Sequence, residues 1–228
     1  MVDIVQNKEN HQENKKEKSI KYNIIIVGAG GFGREVYLWA KDSFSKDQYR
    51  IKGFLDDNPR ILNDYIIDIG IIGNINDYVI QEQDKFLIAI GDVDAKKNVV
   101  LSLKERGAEF LTLIHPTALI ADTSIIGEGV IICPYCLISD NVRLDDFVMM
   151  NAYADCGHDA KVGKYCILSS YAAVMGFSIL EDEVFLSTHT TVIPGKRVGY
   201  KSKVSANSVV MRDVPANKIV FGVPGKAI

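Results

Sequence analysis

The chain has 228 residues, 47% apolar and 24% charged, which fits one large globular domain or two modest ones and excludes a collagen and a wholly disordered chain. Its net charge of −3 offers no basic face for a phosphate backbone, so nucleic acid is not an expected partner. No apolar run approaches the ~18 residues that a membrane span requires.

In chain order, residues 6–21 (QNKENHQENKKEKSIK) are almost purely polar, and such a segment cannot offset its own ordering entropy. Residues 1–22 are therefore expected to form a disordered polar tail. They contain no apolar stretch with a small-residue cleavage site, which points to the cytoplasm.

Residues 23–113 alternate buried-strand runs with helical patterns. The runs are 24–27, 51–55, 86–90 and 110–114. The clearest helix is expected over 94–106, with Asp94 as N-cap, Val99, Val100 and Leu103 on one face and Gly107 as the stop. Strands alternating with helices imply a parallel sheet, here a half-size Rossmann-like domain. Gly28, Gly30 and Gly33 follow a strand and open a helix, and Asp56 and Asp57 end the next strand. That context suits a dinucleotide, another nucleotide, or simply a tight structural turn. The shortness of the domain weighs against NAD.

From Ile114 the period changes to six. Every sixth residue from Ile114 to Val210 is apolar, and the residue two places earlier is mostly small or β-branched, as in Ala118, Ser124, Ala154, Ala160 and Ala172. Two inward side chains and a corner, repeated every six residues, describe a hexapeptide β-helix. Turn-type residues recur every eighteen, as in Gly127, Asp145, Gly163, Glu181 and Gly199, so three strands make one coil of a triangular prism. The expected fold is thus an α/β half-Rossmann-like domain followed over 114–228 by a parallel β-helix, left-handed as known hexapeptide β-helices are.

The same grid bears on reactive residues. Cys133 and Cys136 form a CxxC without a second CxxC, and Cys136, Cys156 and Cys166 fall on inward positions, so all four cysteines are expected in the core rather than on zinc or as nucleophiles. His158 lies two residues past a grid position, at a corner, with Asp159 after it and Asp155 before it. A carboxylate neighbour can fix an imidazole tautomer and raise its basicity, as a general base requires; a solvated corner histidine is the other reading. His189 is a further corner histidine. His115, before Pro116, is expected to be structural.

The ordered set of a Gly-rich first turn, GFLDD, AIGD, LIHPTA, the hexapeptide grid and a terminal FGVPGK resembles the hexapeptide-repeat sugar acetyltransferases. These include N-acetyltransferases of nucleotide-linked 4-amino-6-deoxy sugars and sialic acid O-acetyltransferases. The resemblance implies a homotrimer with acetyl-CoA lying along the β-helix between neighbouring subunits, and no metal. It implies His158 as the catalytic base, Asp159 as the residue that raises its basicity, and Gly176 as the oxyanion donor. It further implies cofactor contacts at Gly176, Ile167, Thr188 and Ala206, and nucleotide-sugar contacts at Gly30, Gly31, Phe32, Asp56, Asp57 and Gly91. Phe32 and Ile167 stand where amino-sugar members often carry histidine, and His189 where asparagine is usual.

The function expected on these grounds is direct acetyl transfer from acetyl-CoA to the amine of a nucleotide-linked 4-amino-4,6-dideoxy sugar. Three alternatives remain open: O-acetylation of a sialic acid or related sugar, a metal-dependent hydratase of the γ-carbonic anhydrase kind, and an NAD-binding scaffold without catalysis.

Overall fold

The computed structural model describes residues 21–228. The expectation of a polar tail falls almost wholly on residues outside that range.

The first unit is a five-stranded parallel sheet. Its elements are β1 (Tyr22–Val27), α1 (Gly31–Ser43), β2 (Tyr49–Leu55), β3 (Ile71–Gly73), β4 (Asp84–Ile88), α2 (Val93–Glu105) and β5 (Glu109–Phe110), in the spatial order β3-β2-β1-β4-β5. Alternation along the strands sorts side chains to two faces. Ile24, Ile26, Phe54 and Leu87 pack against Val36, Tyr37 and Ala40 of α1, whereas Ile25, Val27, Leu55, Phe86 and Ile88 pack against Val100 and Leu103 of α2. The two helices therefore cover opposite faces.

Two sequence expectations need correction here. The N-cap of α2 is Asp92, whose carboxylate accepts from the Ala95 N–H at 2.8 Å, and Asp94 lies in the first turn. Both aspartates suit a helix start, and hydrogen bonding rather than residue type decides between them. The run 110–114 is broken: Glu109–Phe110 pairs with β4, while Leu113–Ile114 already pairs with Ile131–Ile132 of the next unit. Strand β3 was not anticipated, because three residues carry too little periodicity to be read. Gly107 ends α2 as expected, with φ +82°.

The second unit is a left-handed parallel β-helix of two-residue strands in sheets of eight, six and five, the largest of which closes with Ile219–Phe221 and an antiparallel Lys226–Ala227. Each strand up to Thr191–Val192 pairs with the one eighteen residues on, for example Met149↔Ile167, Asp155↔Ala173 and Lys161↔Ile179. We call these the docked, second and third faces respectively.

From Ile132 onward the grid side chains are at most 1% exposed. Ile114 is 40% exposed, because no coil lies beneath the first one to cover it. The positions two before the grid are also interior, and their hydroxyls bond to backbone, as Ser178 Oγ does to the Ile193 carbonyl at 2.9 Å and Ser202 Oγ to that of Pro215 at 2.9 Å. A buried hydroxyl is tolerated only with such a partner. The residue three past the grid adopts positive φ at nearly every corner, including Tyr135, Asp159, Phe177 and His189.

The first unit sits on the docked face. Ile131, Met149 and Ile167 point outward there yet are at most 2% exposed, and Val93 and Phe32 pack against Met149 and Ile167. His115 reinforces the junction, with Nδ1 2.8 Å from Thr117 Oγ1 and Nε2 3.6 Å from Asp42 of α1. Among the described residues no helix is long and apolar enough to cross a membrane.

Candidate functional site

His158 stands at the corner between the second and third faces, its side chain 58% exposed. Asp159, with φ +60°, turns its carboxylate back so that Oδ2 lies 3.0 Å from His158 Nδ1. Its other oxygen accepts from Asn141 Nδ2 at 2.7 Å, one coil earlier. Asn141 and then His158 hold the Asp159 carboxyl below its ordinary pKa. An anionic partner at Nδ1 fixes the tautomer with the proton on Nδ1 and leaves the Nε2 lone pair facing outward. Asp155 takes no part in this. It lies on the second face, where burial raises its pKa.

Gly176 lies one coil beyond, under the imidazole. A Cβ there would stand 2.8 Å from both Nε2 and Cε1 of His158. Gly157 is required for a related reason, since its Cβ would stand 2.7 Å from the Gly176 nitrogen. Among the described hydrogen bonds the Gly176 N–H has no acceptor, while its neighbours Met175 and Phe177 donate to Val192 and His158 carbonyls. Phe177 meets the imidazole edge-on, with centroids 5.0 Å apart at 85°, which restricts ring rotation. This corner thus brings together a tautomer-fixed imidazole, an N–H without an acceptor among the described residues and a side-chain-free surface between them. Asn141 and Phe177 were not anticipated, although each lies eighteen residues from Asp159 and so in the same column.

The other residues that the resemblance assigns to the cofactor lie elsewhere. Thr188 and Ala206 occupy the corner between the docked and second faces, and Thr188 Oγ1 donates to the Ser170 carbonyl at 2.8 Å. Ile167 is a correction: at 2% exposed, beneath Val93 and Phe32, its side chain is closed to ligand within this chain. His189 continues a column of stacked rings on the Thr188 corner. Tyr135, Tyr153, Tyr171 and His189 follow one another at 5.0, 4.9 and 4.7 Å between centroids.

The cysteines are all free and buried. Burial pushes the Cys136 and Cys166 thiols up to about 12, and that of Cys156 higher, so none is a thiolate near neutral pH. Among the described residues no group of three or more His, Cys, Asp or Glu side chains is arranged to hold a metal ion.

A second candidate site lies at the sheet of the first unit. β1 and β4 are neighbours whose chains leave to opposite faces, so their C-terminal ends flank the point where strand order reverses, the place where open α/β sheets hold ligands. Gly30 caps α1 with extended backbone and Gly91 precedes the α2 cap. Both have open space where a Cβ would be, as a phosphate approaching two helix N-termini requires. Gly31 is exposed beside them. Phe32 is half-buried, edge-on to Trp39 at 5.9 Å.

Gly28 and Gly33 serve packing: a Cβ on Gly33 would lie 2.0 Å from the Gly28 carbonyl oxygen. Asp56 spends one oxygen on the Ala29 N–H at 2.8 Å and the other on that of Asn58 at 2.9 Å, so it braces the glycine turn. Asp57 accepts from the Ile75 N–H at 3.2 Å and is exposed.

Residues 23–103 match the family described as the PglD N-terminal domain. The chain is 29% identical over 110 residues to a GDP-perosamine N-acetyltransferase of Escherichia coli O157:H7, covering 48% of this chain and 50% of that protein. It is 36% identical over 116 residues to an acyl-[acyl-carrier-protein]–UDP-N-acetylglucosamine O-acyltransferase of Pseudomonas paraeruginosa, covering 50% and 45%. The chain thus spans about half the length of the curated relatives it matches.

Among solved structures, PerB of Caulobacter crescentus, crystallised with CoA and GDP-perosamine, superposes with a TM-score of 0.82 at 24% identity, covering 90% of this chain and 97% of that one. WeeI of Acinetobacter baumannii superposes at 0.80 and 25% identity, covering 91% and 100%. The fold of these structures therefore matches that of this chain across both units.

Proposed function

We propose that this chain, with its PglD-type N-terminal unit and its likeness to hexapeptide-repeat sugar acetyltransferases, transfers an acetyl group from acetyl-CoA to the amine of a nucleotide-linked 4-amino-4,6-dideoxy sugar. The single observation that carries the reading is the His158 corner, where a histidine anchored by a carboxylate stands over a glycine with a free N–H. In the proposed step the sugar nitrogen attacks the thioester carbonyl and forms the new C–N bond. His158 Nε2 accepts the amine proton as that bond forms. The Gly176 N–H stabilises the tetrahedral oxyanion. Collapse breaks the C–S bond, and the proton held by His158 passes to the departing thiolate, giving the amide and CoA. No acyl-enzyme forms, because no activated nucleophile stands beside the histidine.

The positions of the two candidate sites argue for a shared centre. The crevice at Gly30 and Gly91 belongs to the unit seated on the docked face, whereas His158 occupies the corner opposite that face. Within one chain the prism separates them. The reading therefore places the crevice of one copy against the His158 corner of the next, with pantetheine running between His158–Gly176 of one prism and Thr188–Ala206 of its neighbour, in a homotrimer. Asp57, exposed beside the crevice, is the acidic side chain left to face the nucleotide.

The match to O-acyltransferases favours a hydroxyl acceptor as the second reading. A dinucleotide is disfavoured, since both Asp56 oxygens are engaged by backbone. The deciding experiment is a thiol-release assay with acetyl-CoA against UDP-, dTDP- and GDP-linked 4-amino-6-deoxy sugars and free sialic acid, with products scored for N- or O-acetylation. Turnover on one amino sugar that falls about 10²- to 10⁴-fold in kcat in His158→Ala supports the proposal. A loss of tenfold or less removes His158 from the role, and an O-acetyl product replaces the acceptor.

A further inference from the structure

Lys96 is 1% exposed and among the described residues has no carboxylate partner. It lies in the first half of α2, four residues past the Asp92 cap, and its Nζ passes into the β-helix. There it donates to the carbonyl oxygens of Phe147 at 2.9 Å and Cys166 at 3.3 Å, on two successive coils of one corner. The Cys166 oxygen is also bonded by the Met149 N–H, whereas for Phe147 the Lys96 ammonium is the described donor. A buried lysine without an anion is costly, and an apolar residue of similar length would fill the space without that penalty.

The contacts around it form a series. Along α2, Asp94 pairs with Lys201 at 2.7 Å, Lys97 with Glu183 at 2.5 Å and Lys104 with Glu128 at 2.7 Å, so the helix lies along one corner and meets coil after coil. The Asp94–Lys201 and Lys104–Glu128 pairs are partly open to water and therefore weak, whereas in the Lys97–Glu183 pair the carboxylate is buried. Lys96 is the fully buried member of the series, about one turn from the helix start that rims the nucleotide crevice at Gly91.

We infer that Lys96 is a positioning residue, which fixes the N-terminus of α2 against two coils of the β-helix and so preorganises the crevice between Gly30 and Gly91 for the phosphates of a nucleotide. This rests on the nucleotide reading of that crevice. A helix end free to shift binds an anion less well, because ordering it must then accompany binding. CoA, placed on other corners of the prism, is the internal control.

The test is calorimetric titration of the full chain and of Lys96→Met and Lys96→Gln with UDP, GDP, dTDP and, separately, CoA. The nucleotide bound by the unsubstituted chain should bind about tenfold more weakly to Lys96→Met, with CoA affinity kept within about twofold and Lys96→Gln, a shorter donor, falling between. In turnover, KM for the nucleotide sugar should rise while kcat stays within about threefold. Unchanged nucleotide affinity overturns the inference, and so does a parallel loss for nucleotide and CoA, which would make Lys96 a residue of general stability. Absence of nucleotide binding by the unsubstituted chain itself removes the nucleotide reading and this inference together, a result distinct from either.

Discussion

The Cα of Gly176 lies so close beneath the His158 ring that a single added methyl group would stand 2.8 Å from both Nε2 and Cε1. Eighteen residues separate the two, one coil of the prism, so the His158 ring rests on the backbone of the next coil. The relationship makes Gly176 part of the imidazole's seating as well as the proposed donor.

Replacement Gly176→Ala should therefore displace the imidazole rather than unfold the coil. A shift of this kind costs about 10²-fold in kcat when a reacting group is misplaced by roughly 1 Å. Steady-state kinetics beside circular dichroism checks it. A variant with full activity would mean that the ring works from another rotamer.

The chain of contacts from Asn141 through Asp159 to His158 predicts graded losses. Asp159→Asn, which removes the charge opposite Nδ1, should lower kcat by about 10- to 100-fold. Asn141→Ala should cost less than that, and nothing further once Asp159 is replaced, because its effect passes through the carboxylate. Additive losses in the double variant would contradict this order.

Burial lowers the Lys96 pKa from 10.5 to about 7. Between these values the unfolded chain holds a proton that the folded one lacks, so stability should rise with pH across that window, by something on the order of a few kcal/mol. Below about pH 7 both states are protonated and the burial penalty stands in full. Lys96→Met should abolish the rise in urea melts taken at pH 6.5, 8 and 9.5. The raised thiol pKa values of Cys136 and Cys166 act in the opposite sense above their ordinary values, and they cancel in the difference between the two proteins. Parallel pH curves would refute the assignment.

Tyr171 stacks on Tyr153 at one side and His189 at the other, whereas Tyr135 touches only Tyr153 within this column. With about 0.5–1.5 kcal/mol for each aromatic pair, Tyr171→Asn should destabilise by roughly twice as much as Tyr135→Asn. Asparagine suits the positive φ that both positions adopt, so the comparison isolates the rings. Equal midpoints in denaturant would show that the column adds no stability.

Much of the prism was legible in the chain because a solenoid makes its contacts between neighbouring coils. A period of six told which side chains point inward, and a period of eighteen told which share a column. His158, Gly176 and the core cysteines were located by counting, and Asn141 and Phe177 could have been. The glycine turn and its helix were legible from local residue types alone.

What lay beyond the sequence joins positions with no period between them. Nothing in the text links Lys96 to Phe147 or Lys97 to Glu183, since their separations of 51 and 86 residues are set by where one rigid unit comes to rest on another. The same docking closed Ile167 to ligand and left the crevice and His158 on opposite sides of one prism, while packing within the first unit turned Asp56 into a brace. Periodicity determined what each element presents; only tertiary packing, through burial and hydrogen bonding between distant segments, decided which of those surfaces meet.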